Sequence, residues 1–416
     1  MRKSSQAESL RPSLLIAAVS GRALAQAARR AGFTPLVADF FADTDTLAAA
    51  HACRKLRSDI ARGFRASSLL RALDALAKAA PSPVRGFVYG AGFEDRPDLL
   101  RRIAERWPII GNDAATVARI KAPEIFFAEL ARLRVPHPAT VTTRPARNAG
   151  WLVKKIGGAG GSHIAPSRLS QGDPGFYFQE RVAGRAVSAL FAGNGRDARV
   201  LGLSEQWTAP SGRNLWRYGG AVRPATLSPA ATRKITSAVK RVSRAFALKG
   251  IASADFLVSG EQALLLEINP RPGATLDIFD CGRTPLLRLH VEAASEDKLP
   301  PGKLKFEDAM ASAIVYAERG GAASRGTVWP DWTADRPKPS EWIDKNRPIC
   351  TVLARSDTKA RAKRLIEERI CEILAGLQKN GRGEDGEQEG RHRRSAQGGA
   401  AKRQRQGGAA RQRADR

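Results

Sequence analysis

The residues best suited to chemistry lie within residues 250–280, where two apolar runs carry acidic and amide side chains. Glu267 and Asn269 stand two positions apart at the end of the second run, so on a strand they point to the same side. Asp255 lies on the first run, and the polar segment 259–262 joins the two runs as a β-hairpin. We expect Asp255 to face Glu267 within about one residue, with opposed side chains roughly 5 Å apart.

Two carboxylates and an amide oxygen are hard ligands of the kind that a divalent cation prefers, so they predict a metal site. Arg271 adds a positive charge beside them, which suits the polyphosphate of a nucleotide. The alternative is a hairpin whose polar end faces solvent. Glu267 stands between Leu266 and Ile268, where a carboxylate without a partner is costly, so the metal site is favoured.

A glycine-rich loop, residues 157–163, follows a predicted strand at residues 151–156. Four glycines in five positions supply backbone N–H groups that can close over phosphate oxygens. The loop is not a Walker A motif, because no Gly-Lys-Ser/Thr follows it and no helix is predicted after it. A flexible hairpin turn is the alternative. Lys154 lies just before the loop, within reach of a phosphate, and it favours nucleotide binding.

The first hundred residues or so predict a parallel sheet. Residues 13–19 and 34–40 are typical of strands, and a helix is predicted between them at residues 23–30, which makes a βα unit. Sheets of this kind bind ligands at the carboxyl ends of their strands. The loop at residues 20–22 lacks the GxGxxG pattern, which counts against a nicotinamide-dependent oxidoreductase, an alternative class.

The later elements are predicted from periodicity and turn residues. Apolar periodicity predicts one helix over residues 114–133, and an Asn-Gly pair at residues 194–195 predicts a hairpin. Ser228 and Pro229 mark the start of a further helix. A last module has predicted strands at residues 311–317 and 349–354 and a predicted helix at residues 358–374.

The composition is that of a globular protein of two or three domains, with 416 residues, 43% hydrophobic and 26% charged. The cysteines are far apart and form no CxxC pair, which argues against a zinc site or a disulfide framework and favours a reducing cytoplasm. No apolar run approaches the roughly 20 residues of a membrane span. The apolar run at residues 14–19 is shorter than the roughly 7–15 residues of a secretory signal core, so a first strand explains it better.

The formal charge of +28 suggests nucleic acid as a partner, yet the pattern disfavours it. Residues 379–416 hold eleven Lys/Arg and five Asp/Glu, and the other charges are scattered with few aromatic residues to stack bases. A basic proteome or an anionic substrate explains the balance better than a nucleic-acid-binding protein, which stays as an alternative. Residues 380–416 contain no Leu, Ile, Val or aromatic residue, so we expect a disordered tail without a catalytic role.

Four motifs carry a family resemblance: LVKKIGGAGGS, FQERVAG, SADFLV and LLEINPR, in that order along the chain. From about Leu14 to Leu289 the chain resembles the ATP-grasp superfamily of ATP-dependent carboxylate–amine ligases. The resemblance implies an α/β fold with five parts. These are a Rossmann-like parallel sheet (residues 1–112), a lid subdomain (113–185), an antiparallel catalytic and metal subdomain (186–300), a small C-terminal αβ module (301–378) and a disordered basic tail (379–416).

The resemblance also implies roles for individual residues. ATP would be bound by phosphate lysines, by the glycine loop and by an adenine-reading linker: Lys121, Lys154 (or Lys155), Gly158, Gly160, Gly161, Ser162, Gln179, Glu180, Arg181 and Val182. Mg²⁺ or Mn²⁺ would be held by Asp255, Glu267 and Asn269, while Arg271 and Lys154 would act on the transferred phosphoryl group. Arg217 and Arg223 are candidates to hold the acceptor acid, with a structural role as the alternative for each.

One position departs from the family pattern. An acidic residue for the ribose often stands six or seven positions after the linker glutamate, and Ala186 and Val187 stand there in this chain. The mode of ribose recognition is therefore left open, whereas adenine binding need not change.

The segments EINPRPGATLDIF and GGAGGSH look most like ATP-grasp proteins of tetrahydromethanopterin- and methylofuran-linked one-carbon metabolism, which are similar to tyramine–glutamate ligases. The implied activity is amide formation through an acyl phosphate, in the biosynthesis of a one-carbon carrier coenzyme. A ligase of another pathway, of the amino-acid ligase or carboxylase-like kind, is the alternative. The implied partners are ATP and small acid and amine substrates, without a membrane, and a homodimer is compatible with the sequence.

Overall fold

In this computed structural model, the structure describes residues 11–57, 62–147, 149–167, 175–212, 214–280, 284–323 and 326–377. The tail predicted to be disordered, residues 379–416, lies outside the described residues. Among the described residues, no helix is long and apolar enough to cross a membrane.

The strands are numbered in chain order. They are β1 (Ser13–Ala17), β2 (Thr34–Asp39), β3 (Ala52–Lys55), β4 (Val84–Tyr89), β5 (Thr140–Val141), β6 (Trp151–Lys155), β7 (Ile164–Pro166), β8 (Phe176–Glu180), β9 (Arg185–Asn194), β10 (Ala198–Thr208), β11 (Tyr218–Arg223), β12 (Lys249–Ser259), β13 (Gln262–Asn269), β14 (Ala309–Tyr316), β15 (Gly321–Ala322), β16 (Thr333–Ala334), β17 (Trp342–Ile343) and β18 (Pro348–Ser356). Strands β15 and β17 pair with each other as a small separate ribbon.

The helices are numbered in the same way. They are α1 (Arg22–Arg30), α2 (Thr44–Ala49), α3 (Ala66–Lys78), α4 (Pro97–Ala104), α5 (Ala114–Lys121), α6 (Pro123–Arg132), α7 (Pro229–Ala245), α8 (Leu276–Phe279), α9 (Leu286–Ser295) and α10 (residues 359–377). The predicted start of α7 is confirmed, because Ser228 caps it by accepting the N–H of Ala231 at 3.1 Å.

The N-terminal sheet is parallel, with the strand order β3-β2-β1-β4. Every residue of β1 is buried, as expected for a strand covered by helices on both faces. Strand β3 and helix α2 were not predicted from the sequence. Next to β4, Ile109 adds an isolated parallel bridge to Phe87.

A large antiparallel sheet forms the body of the protein, in the order β13-β12-β9-β10-β11-β14-β18-β16. The predicted Asn-Gly hairpin is confirmed between β9 and β10. Asn194 closes it, because its side-chain oxygen accepts the N–H of Arg196 at 3.1 Å and of Asp197 at 2.9 Å. The C-terminal strands β14 and β18 continue this sheet through the pairing of β14 with β11. The predicted C-terminal module is therefore an extension of the large sheet and has no main sheet of its own.

A third sheet, β5-β8-β6-β7, lies in the segment predicted to be a lid (residues 113–185) and is called the lid sheet, or the lid, below. The glycine loop is the turn between β6 and β7, where Lys154 lies opposite Ile164 on one side and Tyr177 on the other. This pairing holds the loop at the tip of the β6–β7 hairpin.

The single helix predicted over residues 114–133 is wrong, because the chain forms α5 and α6 with a break at Ala122. Ala122 has an extended backbone (ψ 111°), and Pro123 follows it as the first residue of α6. A proline disfavours helical geometry in the residue before it and is well tolerated at a helix start. The break leaves Lys121 as the last residue of α5.

The N-terminal domain is fastened to the large sheet near the strand ends of interest. Asn112 donates its side-chain amide to the carbonyl oxygens of Lys249 (3.0 Å) and Pro270 (2.9 Å). The Tyr89 hydroxyl donates to the carbonyl oxygen of Asn112 at 2.7 Å and also lies 3.3 Å from the Pro270 carbonyl oxygen. These contacts hold the chain directly before Arg271 against the carboxyl edge of the parallel sheet.

Candidate active site

The hairpin of β12 and β13 has the expected register. Asp255 lies opposite Glu267, and Ser253 lies opposite Asn269. A bulge follows Asp255, so that Phe256 pairs with Leu265. The acidic and amide side chains therefore meet at one end of the hairpin, because the pairing places them on adjacent positions of the same face.

Asp255 is held by two neighbours. Its Oδ1 accepts the hydroxyl of Ser188 at 2.6 Å, and its Oδ2 accepts the side-chain N–H of Asn269 at 3.0 Å. Because Asn269 donates through its nitrogen, its amide oxygen is left to accept or to ligate. Burial, and then the nearby charge of Glu267, raise the pKa of Asp255 to about 6.

Glu267 lies beside a lysine from another element. The Nζ of Lys121 is 3.6 Å from Glu267 Oε2, and the lysine side chain is almost fully buried. Burial alone would raise the pKa of Glu267, but the charges of Lys121, His163 and Lys154 lower it below its ordinary value. The Asp255 and Glu267 carboxylates repel each other, and a divalent ion bound to both would remove this repulsion.

The donor set fits a hard cation such as Mg²⁺, since it consists of carboxylate and amide oxygens. Among the described residues, no three His, Cys, Asp or Glu side chains are grouped to hold a metal ion. A cation at Asp255 and Glu267 would therefore depend on the Asn269 oxygen and on oxygens of the bound ligand, which is common for Mg²⁺ sites.

Lys154 points into the protein from β6, whereas its neighbour Lys155 points outward. Lys154 is buried and donates to the side-chain oxygen of Gln179 at 2.7 Å. Burial lowers its pKa, against the raising effect of Glu267 and Asp255. Lys155 is exposed and lies 3.4 Å from Asp95. Because side chains alternate along a strand, the buried Lys154 faces the interior, where its charge interacts with both carboxylates, while the exposed Lys155 also borders the cleft described below.

The glycine loop fits closely against its surroundings. A Cβ at Gly161 would collide with the carbonyl oxygen of Trp216, and one at Gly157 would lie 2.7 Å from the Cα of Asp95. Both glycines have a positive φ (75° and 69°) that favours glycine. Their positions in the loop therefore require the absence of a side chain.

A cleft runs between the lid and the hairpin. His163 lines it, with Nδ1 3.3 Å from the carbonyl oxygen of Ala159 and with a pKa that burial lowers. No role for His163 was predicted from the sequence, although it closes the glycine loop. Other residues that line the cleft include Ile120, Lys121, Phe127, Lys155, Gly157, Gly158, Tyr177, Glu267 and Ile268.

The predicted adenine linker, residues 179–182, begins within the last two residues of β8. Gln179 is buried and is engaged by Lys154, while Glu180 and Arg181 are exposed and Val182 is partly buried. The backbone N–H of Glu180 donates to the carbonyl oxygen of Ala139 at 2.8 Å. Of the four linker residues, Gln179 therefore points towards Lys154, and the Glu180 side chain lies at the surface.

Arg271 has a partner that was not predicted. Its Nε and Nη2 lie 2.7 and 2.6 Å from Oε1 of Glu94, in the loop between β4 and α4. The other oxygen of Glu94 accepts the N–H groups of Gly92 (2.7 Å) and Phe93 (3.0 Å). Burial alone would raise the pKa of Glu94, but Arg271 and then Lys121 hold it below its ordinary value. The one sequence signal that could have pointed to Glu94 is its type and place, an acidic residue in a loop at the carboxyl end of a parallel strand.

The arginines proposed for the acceptor acid are engaged elsewhere. Arg223 is fully buried, donates to Asp308 Oδ1 at 2.9 Å, and lies 4.0 Å from the ring centre of Phe306. Arg217 lies 3.7 Å from the ring centre of Tyr316 and is bound to backbone carbonyls. Both contacts favour the structural alternative, because these donors and ring contacts join β10 and β11 to the C-terminal strands.

The fold, with its parallel N-terminal sheet, small lid sheet and large antiparallel sheet, is the ATP-grasp fold. Residues 125–275 match the family model of the ATP-grasp domain. The chain therefore contains an ATP-grasp domain, and the matched range includes Lys154, Asp255, Glu267, Asn269 and Arg271. The expected fold class and the expectation of an ATP-grasp enzyme are confirmed.

Solved structures with the same fold include ligases and carboxylases. The chain is similar to biotin carboxylase from Campylobacter jejuni, with 15% identity, a TM-score of 0.67, and 84% of this chain and 88% of that chain covered. It is also similar to an L-amino acid ligase from Bacillus licheniformis, with 13% identity, a TM-score of 0.65, and 86% and 96% of the chains covered. A Hydrogenobacter thermophilus biotin carboxylase domain dimer, in complex with MgADP and bicarbonate, has 12% identity, a TM-score of 0.64, and 82% and 85% coverage.

A sequence relative is an uncharacterized protein of Methanocaldococcus jannaschii, which is 26% identical over 193 residues. The match covers 46% of this chain and 45% of the relative. Less than half of the length of that relative is therefore compared.

Proposed function

We propose that the protein is an ATP-dependent carboxylate–amine ligase. The observation that carries the proposal is the meeting of three elements. Lys121 at the end of α5 and Glu267 on β13 line one cleft, Asp255 lies opposite Glu267 on β12, and the buried Lys154 of β6 interacts electrostatically with both carboxylates. A metal–polyphosphate ligand carries both signs of charge: the lysines can bind its phosphates and the carboxylates can bind its metal ion.

In this proposal, the phosphates of ATP lie between the glycine loop and the two lysines. The loop amides and the ammonium groups of Lys121 and Lys154 bind phosphate oxygens. Asp255, Glu267 and Asn269 hold Mg²⁺, with Mn²⁺ as a substitute. The ion supplies charge neutralisation of the phosphates, which lets an anionic carboxylate approach.

The reaction that we propose has two steps. A carboxylate oxygen of the acid attacks the γ-phosphorus of ATP, the bond to the bridging oxygen breaks, and ADP leaves with those electrons. An amine then attacks the acyl carbon, inorganic phosphate leaves, and the nitrogen loses a proton to give the amide. Arg271 supports the transferring phosphoryl group, and the first step needs no general base because the acid is already ionised at neutral pH.

The adenine would bind beside the linker that contains Glu180, Arg181 and Val182. Exposed Glu180 and the backbone of Val182 are the groups available to its amino and ring nitrogens. Ala186 and Val187 offer no acidic group to the ribose, so its recognition would rest on other contacts.

The finer proposal is a role in the biosynthesis of a one-carbon carrier coenzyme of the methylofuran or tetrahydromethanopterin type, in the cytoplasm. It rests on the segments EINPRPGATLDIF and GGAGGSH, which look most like such ligases. The fold shared with an amino-acid ligase and with biotin carboxylases supports the alternatives of amino-acid ligation and of a carboxylase-like reaction. A homodimer remains part of this proposal, in line with the dimer of one structural neighbour.

The test is Mg²⁺-dependent ADP release in the presence of candidate acids, with and without candidate amines. Glutamate, tyrosine, tyramine and pterin or furan precursors form the first panel. The proposal predicts ADP release that requires one acid and is accelerated by one amine, with loss of release in Glu267→Gln. ADP release that is unchanged in Glu267→Gln, or nucleic-acid binding that falls steeply with salt and survives that substitution, would favour the alternatives.

A further inference from the structure

We infer that Glu94 is a positioning residue that aims the guanidinium of Arg271 at the terminal phosphoryl group of the nucleotide. This inference rests on the proposed function, because it assigns a role within that same cleft. It adds a residue from the N-terminal domain to a site whose other proposed members lie at or beyond α5.

The contacts of Arg271 leave some of its guanidinium donors available to a ligand. Glu94 Oε1 lies 2.7 Å from Nε and 2.6 Å from Nη2, and the Pro272 carbonyl lies 3.4 Å from Nη1. A guanidinium has five N–H donors in a planar fork. Within the described part of the chain, these contacts use three of the donors, so one N–H of Nη1 and one N–H of Nη2 are left for an oxyanion.

Glu94 is itself fixed by its own loop. Its second oxygen accepts two backbone N–H groups, from Gly92 and Phe93, and the side chain is almost fully buried. The ring of Phe93 packs 4.8 Å from that of Phe64 and 5.4 Å from that of Tyr89, between ring centres. The carboxylate therefore has little freedom to follow a moving arginine, and the arginine adopts the orientation that Glu94 sets.

The N-terminal domain holds Arg271 at both its backbone and its guanidinium. Tyr89 and Asn112 fix the carbonyl of Pro270, directly before Arg271, and Glu94 fixes the guanidinium. A side chain anchored at its backbone and at its head is preorganised, which is the main means by which such groups stabilise a transferring charge.

For Glu94→Gln, an effect of charge alone and a positioning role predict opposite changes in γ-phosphate binding. Glu94→Gln removes a negative charge beside the phosphates, so a purely electrostatic effect would strengthen binding of the γ-phosphate. The Gln side chain cannot satisfy both neighbours, because its one carbonyl oxygen cannot face Arg271 and the two backbone N–H groups together. A positioning role therefore predicts weaker γ-phosphate binding despite the more favourable charge.

The experiment compares Mg·ADP with Mg·AMPPNP by calorimetry on the full-length protein. For Glu94→Gln we expect the ratio of AMPPNP to ADP affinity to fall by about tenfold, the equivalent of one charge-assisted hydrogen bond, with ADP affinity within about twofold of wild type. In an Arg271→Met background, the same substitution should no longer lower the ratio, because only the effect of the lost charge remains. Asp98→Asn is the matched control, since it removes an exposed carboxylate from the neighbouring helix.

An unchanged or increased ratio in Glu94→Gln would overturn the inference while leaving the proposed function intact. A wild-type protein that binds neither Mg·ADP nor Mg·AMPPNP would instead overturn the proposed function. If Glu94→Gln does not fold, Glu94→Asp provides the test, because it keeps the charge and withdraws the carboxylate from Arg271. We expect the same fall in the ratio for Glu94→Asp, and an unchanged ratio would contradict the inference.

Discussion

The ammonium nitrogen of Lys121, at the end of α5, lies 3.6 Å from the carboxylate of Glu267 on β13. The two charges offset each other across the cleft between the lid and the large sheet. In the proposed complex a phosphate would contact the lysine and a cation would contact the carboxylate. The nucleotide and the metal ion should therefore depend on each other for binding.

The first prediction concerns this pair. Glu267→Gln should strengthen ATP binding in EDTA by several-fold, because it frees Lys121 and removes a negative charge, and it should abolish the enhancement by Mg²⁺. Lys121→Met should weaken ATP binding in both conditions. Calorimetry with and without Mg²⁺ measures all four values, and an enhancement by Mg²⁺ that persists in Glu267→Gln would refute the assignment.

The second prediction compares two neighbouring glycines. Gly160 and Gly161 both have a positive φ, 71° and 75°, so alanine costs roughly 1–2 kcal/mol of backbone strain at either one. Only at Gly161 would the added Cβ collide with Trp216, whereas at Gly160 nothing lies within 4 Å. We expect Gly161→Ala to weaken Mg·ATP binding much more than Gly160→Ala does. Equal losses in the two variants would show that backbone strain, and not the fit of the loop, sets the affinity.

The third prediction concerns the pH dependence of stability. Asp43, directly before α2, is buried, and its Oδ2 has no hydrogen-bond partner among the described residues. Burial, followed by the charges of Asp335, Asp39, Asp45 and Glu341, raises its pKa from 3.8 to about 9. Folding therefore takes up a proton at Asp43 between these two values, and the stability that it contributes falls as the pH rises through that range.

Replacing Asp43 by Asn removes this proton uptake. Relative to wild type, Asp43→Asn should gain stability with rising pH, by up to about 1.4 kcal/mol per pH unit between pH 5 and 8. Urea unfolding at several pH values measures the effect, and Asp74→Asn, which alters an exposed surface ion pair, is the control. A difference between Asp43→Asn and wild type that does not change with pH would contradict the prediction.

The fourth prediction separates structure from binding at Arg223. Arg223→Met should lower the free energy of unfolding by roughly 2 kcal/mol or more, since it removes the donor to the buried Ile278 carbonyl and one of the two cationic partners of the half-buried Asp308. It should leave the affinity for Mg·ATP unchanged, because Arg223 serves the join between β11 and the C-terminal strands. A folded Arg223→Met variant that has lost only its response to the acid substrate would restore the substrate-binding interpretation.

The hairpin of Asp255 and Glu267 could be predicted because its signals are local. Alternation along each strand and a two-residue turn at Gly260 and Glu261 determine the register over a few residues. The strand position of Lys154 was predicted for the same reason. The break between α5 and α6 also has a local signal, Pro123, but the apolar periodicity runs across it and favours one continuous helix.

The pairing of Glu94 with Arg271 could not be predicted, because the two residues are 177 positions apart. Their contact depends on how the N-terminal sheet docks on the large sheet, which no periodicity encodes. The same holds for β14, which extends the large sheet by pairing with β11. Arg217 and Arg223 were candidates for the acceptor acid, with a structural role as the alternative for each, and the aromatic and backbone partners that favour the structural role appear only in the fold.

The most direct test of the metal–nucleotide site is binding of Mn²⁺, followed by electron paramagnetic resonance, with AMPPNP present. The account predicts one tightly bound Mn²⁺ that requires the nucleotide in wild type and is lost in Asp255→Asn, Glu267→Gln and Asn269→Ala. Tight, nucleotide-dependent Mn²⁺ binding that survives all three substitutions would contradict it.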